Sequence, residues 1–486
     1  MTERAAGPLD RFFALTENGT NARTELLAGL TTFLTMAYII FVQPAVLSGQ
    51  LTGGDTGLDF GAVTTATCLA AALATAIMGL YARYPVAQAP GMGQNFMFVS
   101  MVAIIAAGQE AGTIAAGTTA WQVALGVIFI SGVLFLLLSL LGVREMLLEA
   151  LSPSMRAGIA IGIGMFIAFI GLRNAGVIVI AEDGPELNPR ILSPDLVVFL
   201  FALFATAGLF ARGVRGAIVL GILAAAVLSA ALKWGLPHVA SVAASPLVTE
   251  SMLMTRFTLA EGLFSAPPSL EPTLLKMDLV NALARSMIPF ILIFLFMDVF
   301  DTLGTLVGVT EQAGLMKDGK LPRARQAMLS DAIGTVAGAA LGTSTVTSYI
   351  ESASGVEQGG RTGLTALTVA ALFLLAPFFS PLIAMVGSYP PITAAALVIV
   401  GSLMMRNVTS IAWTNPAEAL PAFLVILGIP LTYSIADGLA LGFIAYPVVK
   451  LLGGQGSEVR WLNYLLAALL LAYFVFVRMP LAYAAA

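Results

Sequence analysis

The sequence predicts an all-α polytopic membrane protein. Three observations carry that expectation. Of the 486 residues, 58% are hydrophobic and only 10% are charged, against about a quarter charged in an average soluble domain. The mean hydropathy is +0.94, more apolar surface than a soluble fold keeps out of water. The apolar residues also gather into fourteen segments, most of them near the ~20 residues that a helix needs to span a bilayer.

In chain order, residues 1–23 carry Glu3, Arg4, Asp10, Arg11 and Arg23 without an apolar core, so they read as a cytoplasmic tail and not as a secretory signal. The apolar segments then run near 24–47, 61–82, 88–107, 119–142, 153–172, 194–211, 214–234, 286–308, 326–342, 345–357, 364–387, 391–405, 417–434 and 437–452. The third opens on Ala89-Pro90-Gly91-Met92-Gly93, which is not ordinary helix interior. The tenth is short and polar for a span. Both are expected to be broken, with an extended piece whose free backbone groups line a cavity. Long loops fall at 174–193 and 235–285, the second rich in proline and joining the two halves. A last apolar stretch, 461–477, is either an interfacial helix or a fifteenth span.

Charge asymmetry sets the orientation. With a cytoplasmic amino terminus and alternating segments, sixteen Lys and Arg residues fall inside and six outside, with Arg478 unassigned. A missed span would invert every later loop and destroy that bias. Trp121, Trp234, Trp413 and Trp461 all sit at segment ends, as an interfacial aromatic belt requires.

A weak internal repeat has an offset of seven segments. Pro153 opens the fifth segment, which ends at Arg173-Asn174, and Pro390-Pro391 opens the twelfth, which ends at Arg406-Asn407. Glycine pairs open the seventh and fourteenth, and the irregular segments are the third and tenth. Seven is odd, so the second half is inverted, and inverted repeats with broken helices at matched places mark secondary transporters.

Other functions are disfavoured by what the chain carries. The single Cys68 precludes an intrachain disulfide, and the single His238 lies in a connecting segment. No cofactor or metal site is expected, and no Walker-type phosphate loop is present. A net charge of −4 points to no nucleic-acid partner.

Acids inside apolar spans cost roughly 2.5–3.5 kcal/mol at mid-bilayer on insertion scales, so they are functional candidates by default. Three stand out. Asp298 and Asp301 of the eighth segment are three apart and share a helix face, with no basic residue nearby in the segment. Glu351 of the tenth lies among hydroxyl residues, flanked by Ile350 and Ser352. In the third segment, Asn95 offers a donor and an acceptor suited to a heteroaromatic ring, and Phe96 a backbone N–H and a stacking face.

At these residues the chain resembles the azaguanine-like purine permeases, a branch of the nucleobase–ascorbate (xanthine/uracil) transporter superfamily. The strings are Thr32-Phe33-Leu34-Thr35-Met36-Ala37-Tyr38-Ile39, Ala89-Pro90-Gly91-Met92-Gly93 with Asn95, Asp298-x-x-Asp301-Thr302-x-Gly304-Thr305, and Glu351-Ser352-x-x-Gly355 followed by Glu357-x-Gly359-Gly360-Arg361-Thr362-Gly363. The resemblance implies two inverted seven-segment repeats. Segments 1–4 (24–142) and 8–11 (286–387) would form a core domain. Segments 5–7 (143–234) and 12–14 (388–452) would form a gate domain that also mediates homodimerisation, with 235–285 connecting the halves and 453–486 as a terminal helix and tail. Short strands in segments 3 and 10 would cross near the midplane. Asp298, Asp301, Asn95, Phe96, Ile350, Glu351 and Ser352 then become the expected substrate-binding residues. Uracil-type members carry histidine where this chain has Thr305, a departure that favours purine over uracil.

The expectation is therefore a plasma-membrane importer of adenine, guanine or hypoxanthine, moving a core against a gate and driven by protons held at Asp301 or Glu351. Its alternatives are a transporter of xanthine or uracil and an anion transporter of the same fold. Clustered acids suit an anion poorly.

Overall fold

A computed structural model describes residues 8–51, 54–110, 118–141, 152–181, 184–189, 193–239, 243–316 and 321–475, with Gly112 and Met479. The first seven residues, Arg144, Arg190, Lys317, Lys320, Arg478 and the end of the 461–477 stretch lie outside the described residues.

Outside the two irregular segments, the described residues of the apolar segments are mainly helical. The long helices are α2 (Ala22–Met36), α3 (Ile39–Leu47), α4 (Phe60–Ile77), α5 (Met92–Glu110), α6 (Ala120–Leu141), α7 (Pro153–Asn174), α8 (Pro194–Ala211) and α9 (Ala217–Gly235), preceded by the short α1 (Pro8–Phe13). The second half holds α10 (Ile288–Gln312), α11 (Ala324–Leu341), α12 (Ser352–Glu357), α13 (Gly363–Leu375), α14 (Ser380–Gly387), α15 (Pro390–Met404), α16 (Pro416–Thr432), α17 (Ile435–Leu452) and α18 (Trp461–Tyr473). Polar caps fix many of the starts: the side chains of Asn21, Asp59, Ser152, Ser193, Thr362 and Ser434 each accept a backbone N–H of the first turn. Pro153, Pro194, Pro390 and Pro416 take first-turn positions, where a missing N–H costs nothing.

Among the described residues, eleven helical stretches are long and apolar enough to cross a bilayer. Three of the fourteen expected segments are not among them. Segment 9 falls in α11, which carries Arg325, Gln326 and Asp331. Segment 10 is split into a strand and the short α12, and segment 13 is the 17-residue α16. Segment 1 is one stretch with a turn at Ala37-Tyr38 between α2 and α3.

The irregular segments hold two of the four described strands. β1 (Gln88–Pro90) precedes α5, β4 (Val346–Ser348) precedes α12, and the two pair antiparallel with Ala89 opposite Thr347. The loop at 174–193 forms a hairpin that the sequence did not signal, β2 (Ile178–Ala181) against β3 (Gly184–Leu187). The 235–285 connection contains only short helical turns among its described residues.

Helix packing falls into two groups. α2–α6 pack with α10, α11 and α13, and α7–α9 pack with α15–α17. Small residues permit the closest approaches: a Cβ on Gly401 of α15 would stand 2.4 Å from the Gly164 carbonyl oxygen of α7. The groups touch where α5 meets α7 and α17. α18 lies along α17 and reaches α10, burying Leu462, Leu466 and Leu470 at four-residue spacing.

Candidate functional site

The two strands create the site by stopping half-way. Proline at 90 has no N–H to continue a ladder. Beyond it, Gly91 N–H donates to the Thr345 carbonyl at 3.1 Å, and Tyr349 N–H donates to the Ala87 carbonyl at 2.9 Å. Past those bonds the chain turns into α5 on one side and α12 on the other. Gly91 leaves room for these side chains, because a Cβ would stand 2.2 Å from Gln94 Oε1 and 2.9 Å from Thr347 Cγ2.

α10 runs beside this crossing and presents one open face. Asp301, Gly304 and Gly308 are exposed, and they follow one another at helical spacing. A Cβ on Gly304 would meet nothing within 4 Å, and one on Gly308 would meet only Ile350 Cδ1, at 4.0 Å. Ile350 is itself 61% exposed although it belongs to a broken segment inside the fold. An open hollow therefore lies over Gly304 and Gly308, beside Ile350.

Two carboxylates stand beside it, Asp301 on the same exposed face of α10 and Glu351 next in sequence to Ile350. Asp301 Oδ2 accepts a 3.1 Å hydrogen bond from Gln94 Nε2 of α5. Half-buried Glu351 accepts a 2.8 Å bond from the Tyr38 hydroxyl at Oε1.

The other expected residues stand behind this surface. Asp298 is buried; Oδ2 accepts from the Thr335 hydroxyl at 2.8 Å, and Oδ1 has no hydrogen-bond partner. Asn95 is fully buried, its amide donating to Gln43 Oε1 and accepting from the Ser344 hydroxyl. Both halves of that amide are thus engaged within the protein. Phe96 is buried and packs edge-to-face on Phe166 of α7 with centroids 5.8 Å apart, and Phe166 meets Tyr433 in the same way at 6.2 Å. Ser352 is buried and accepts the Ala87 N–H at 3.0 Å.

Sequence reasoning placed three acids inside spans, and the structure corrects that number. Asp331 of α11 is fully buried, accepting from Gln88 Nε2 at 2.7 Å and from the Thr302 hydroxyl at 2.5 Å. Thr302 follows Asp301 on α10, so the network of Asp331 reaches the same stretch of that helix. The signal for Asp331 was available, since it falls inside the apolar segment 326–342. Glu25 of α2 is also fully buried and caps α13 across the bundle, accepting from Arg361 and Thr362 N–H and the Thr365 hydroxyl. Among the described residues, no lysine or arginine forms an ion pair with Asp298, Asp301, Asp331 or Glu351; the ion pairs seen join Lys450 to Glu418 and Glu458. No group of three or more His, Cys, Asp or Glu side chains with metal-holding geometry occurs among them either.

Comparison with known proteins decides the family. The sequence model of the Permease family of xanthine/uracil type matches residues 23–441. The chain belongs to that family. Like its relatives, this permease is a membrane transporter and not an enzyme. A putative permease of Methanocaldococcus jannaschii is 46% identical over 96% of this chain and 98% of its own length. The guanine/hypoxanthine permease PbuG of Bacillus subtilis is 41% identical, over 96% and 99%. The adenine permease AdeP of Escherichia coli is 39% identical, over 97% of each chain. In three dimensions the permease resembles the transmembrane domain of the cyanobacterial bicarbonate transporter BicA, with a TM-score of 0.60 and 15% identity over 86% of this chain and 97% of that one. The murine anion transporter Slc26a9 in its inward-facing state gives 0.55 and 12%, over 91% and 73%. The permease therefore shares a fold with anion transporters to which its sequence is hardly related.

Proposed function

We propose that this permease imports purine nucleobases, adenine, guanine or hypoxanthine, in symport with protons. The observation that carries the reading is the pair Asp301 and Glu351 at one hollow, each held by a neutral donor and neither by a cation. Two acceptors without a counter-charge suit a small planar ligand rich in N–H groups, and they repel an anion. The names of the relatives from Bacillus subtilis and Escherichia coli support the same substrate class. A carboxylate in a site poor in water can also hold a proton that leaves on the other side of the membrane.

In this reading α2–α6 and α10–α14 form the moving core, and α7–α9 with α15–α17 form the gate, as two inverted repeats of seven segments. The matched strands β1 and β4, each followed by a helix, support that symmetry. Asp301, Glu351 and Ile350 meet the substrate, while Asp298, Asn95, Phe96 and Ser352 shape the surface they stand on. The excess of Lys and Arg in the loops at the carboxyl end of α10 supports a hollow that opens to the cytoplasmic side of the plasma membrane. The edge-to-face rings of Phe96, Phe166 and Tyr433 then close the outer path. A homodimer through the gate would hold that domain still while the core moves.

Uptake of radiolabelled hypoxanthine in cells that express the permease, with adenine, guanine, xanthine and uracil as competitors, tests the proposal. Competition by adenine and guanine but not by uracil, and loss of accumulation with a protonophore, are expected. Uptake indifferent to purines, or to the proton gradient, overturns it.

A further inference from the structure

The two acids at the hollow share an arrangement that the function alone does not require. Each has one oxygen tied to an uncharged side chain of the opposite repeat. Gln94 lies on α5, one residue past Gly93, and is 2% exposed. Its amide folds back over the bare Cα of Gly91 and donates from Nε2 to Asp301 Oδ2. Tyr38 sits in the turn between α2 and α3 and is 1% exposed, and its hydroxyl donates to Glu351 Oε1. The Thr35 hydroxyl, 3.4 Å from the Glu351 carbonyl, steadies the backbone at that acid.

A free carboxylate rotates about its last torsion and presents either oxygen. A hydrogen bond to one oxygen fixes the plane and directs the second at the ligand. The donors here are an amide and a phenol, so they orient the acids without neutralising them as an arginine would. On the purine reading given above, we propose that Gln94 and Tyr38 are positioning residues that fix which carboxylate oxygen, in which plane, accepts a hydrogen from the base. Gln94 sets the edge of the base read by Asp301, and Tyr38 sets the edge read by Glu351. Neither touches the substrate.

The test uses the full-length permease with Gln94→Met and Tyr38→Phe, which remove the donor and nearly conserve volume. Transport of hypoxanthine and of purines methylated at single ring nitrogens is measured, with membrane content quantified. Each variant should raise KM for hypoxanthine about tenfold and leave kcat within about twofold, the loss of one orienting bond to a charged group. The methyl series should separate the two. Methylation at the nitrogen that an acid reads costs the wild type affinity, and it should cost less in the variant whose anchor for that acid is gone. Equal penalties for every purine in both variants, or unchanged KM in both, overturn the proposal. If one variant fails to reach the membrane, the other still decides for its own acid. Wild-type uptake reports separately on the purine reading, since its absence defeats that reading whatever the variants do.

Discussion

Gln88 of strand β1 donates to the buried carboxylate of Asp331 at 2.7 Å, tying the strand that frames the hollow to helix α11. Thr302 donates to the other oxygen from α10. Asp331 thereby joins the consecutive helices α10 and α11 to a strand 243 positions earlier in the chain. Replacing it with alanine would take the shorter-bonded acceptor from two buried donors, leaving Gln88 only Ser348 and Thr302 only Thr347, and would open a small void. The expected loss is about 2–4 kcal/mol of stability. Asp331→Asn keeps the shape and one acceptor, and should lose less. Thermal unfolding of the purified variants in detergent measures the order; equal stability of Asp331→Ala and wild type would show that the network contributes nothing.

Asp301→Asn and Glu351→Gln should each abolish proton-driven purine accumulation while leaving the chain in the membrane. Both changes conserve volume and remove only the charge and one acceptor role. Accumulation at the wild-type level in both variants would refute the assignment of these acids.

Gly91→Ala places a methyl group 2.2 Å from Gln94 Oε1, closer than any Cβ contact tolerates. Gln94 has to swing away, and the bond to Asp301 goes with it. Uptake should fall at least about tenfold, by the same loss that Gln94→Met produces. Combining the two substitutions should therefore cost little more than either alone, a non-additivity that a double-mutant cycle reads directly.

Asp278, in the 235–285 connection, caps the turn Leu279–Ala282 and accepts the Thr118 hydroxyl at 2.5 Å. Partial burial works to raise its carboxyl, but the bonds from Thr118, Asn281 and the Val280 backbone prevail and hold it below the usual carboxylate value. A folded-state value that is depressed gives stability at neutral pH, and that stability is lost as the pH falls through the acid range. Asp278→Ala should cost about 1 kcal/mol, the worth of an N-cap. The difference from wild type in detergent unfolding should narrow as the pH is lowered towards 3; a constant difference would contradict the capping role.

Much of the site was written in local chemistry. Pro90, Gly91 and Gly93 are incompatible with helix interior, and the hydroxyl run around Glu351 is incompatible with lipid, so the breaks at both places could be anticipated. Asp301 drew attention because a carboxylate in an apolar span is costly. Asp331 has the same cost and went unread beside Ser330 and Arg325, where the segment resembles the edge of a loop. Asn95 shows the opposite error of emphasis: its side chain has the donor and acceptor a base would want, yet Gln43 and Ser344 engage both.

The sequence by itself determined that this chain lives in a bilayer, where its helices lie and where they break, because span length and the cost of exposed backbone are properties of short segments. Only the tertiary structure decided which side chain holds which acid. Gln94 meets Asp301 across 207 positions and Tyr38 meets Glu351 across 313. No local period encodes such pairs: they form because packing the two halves brings β1 against β4, and each buried polar group then takes the partner that the packed geometry offers.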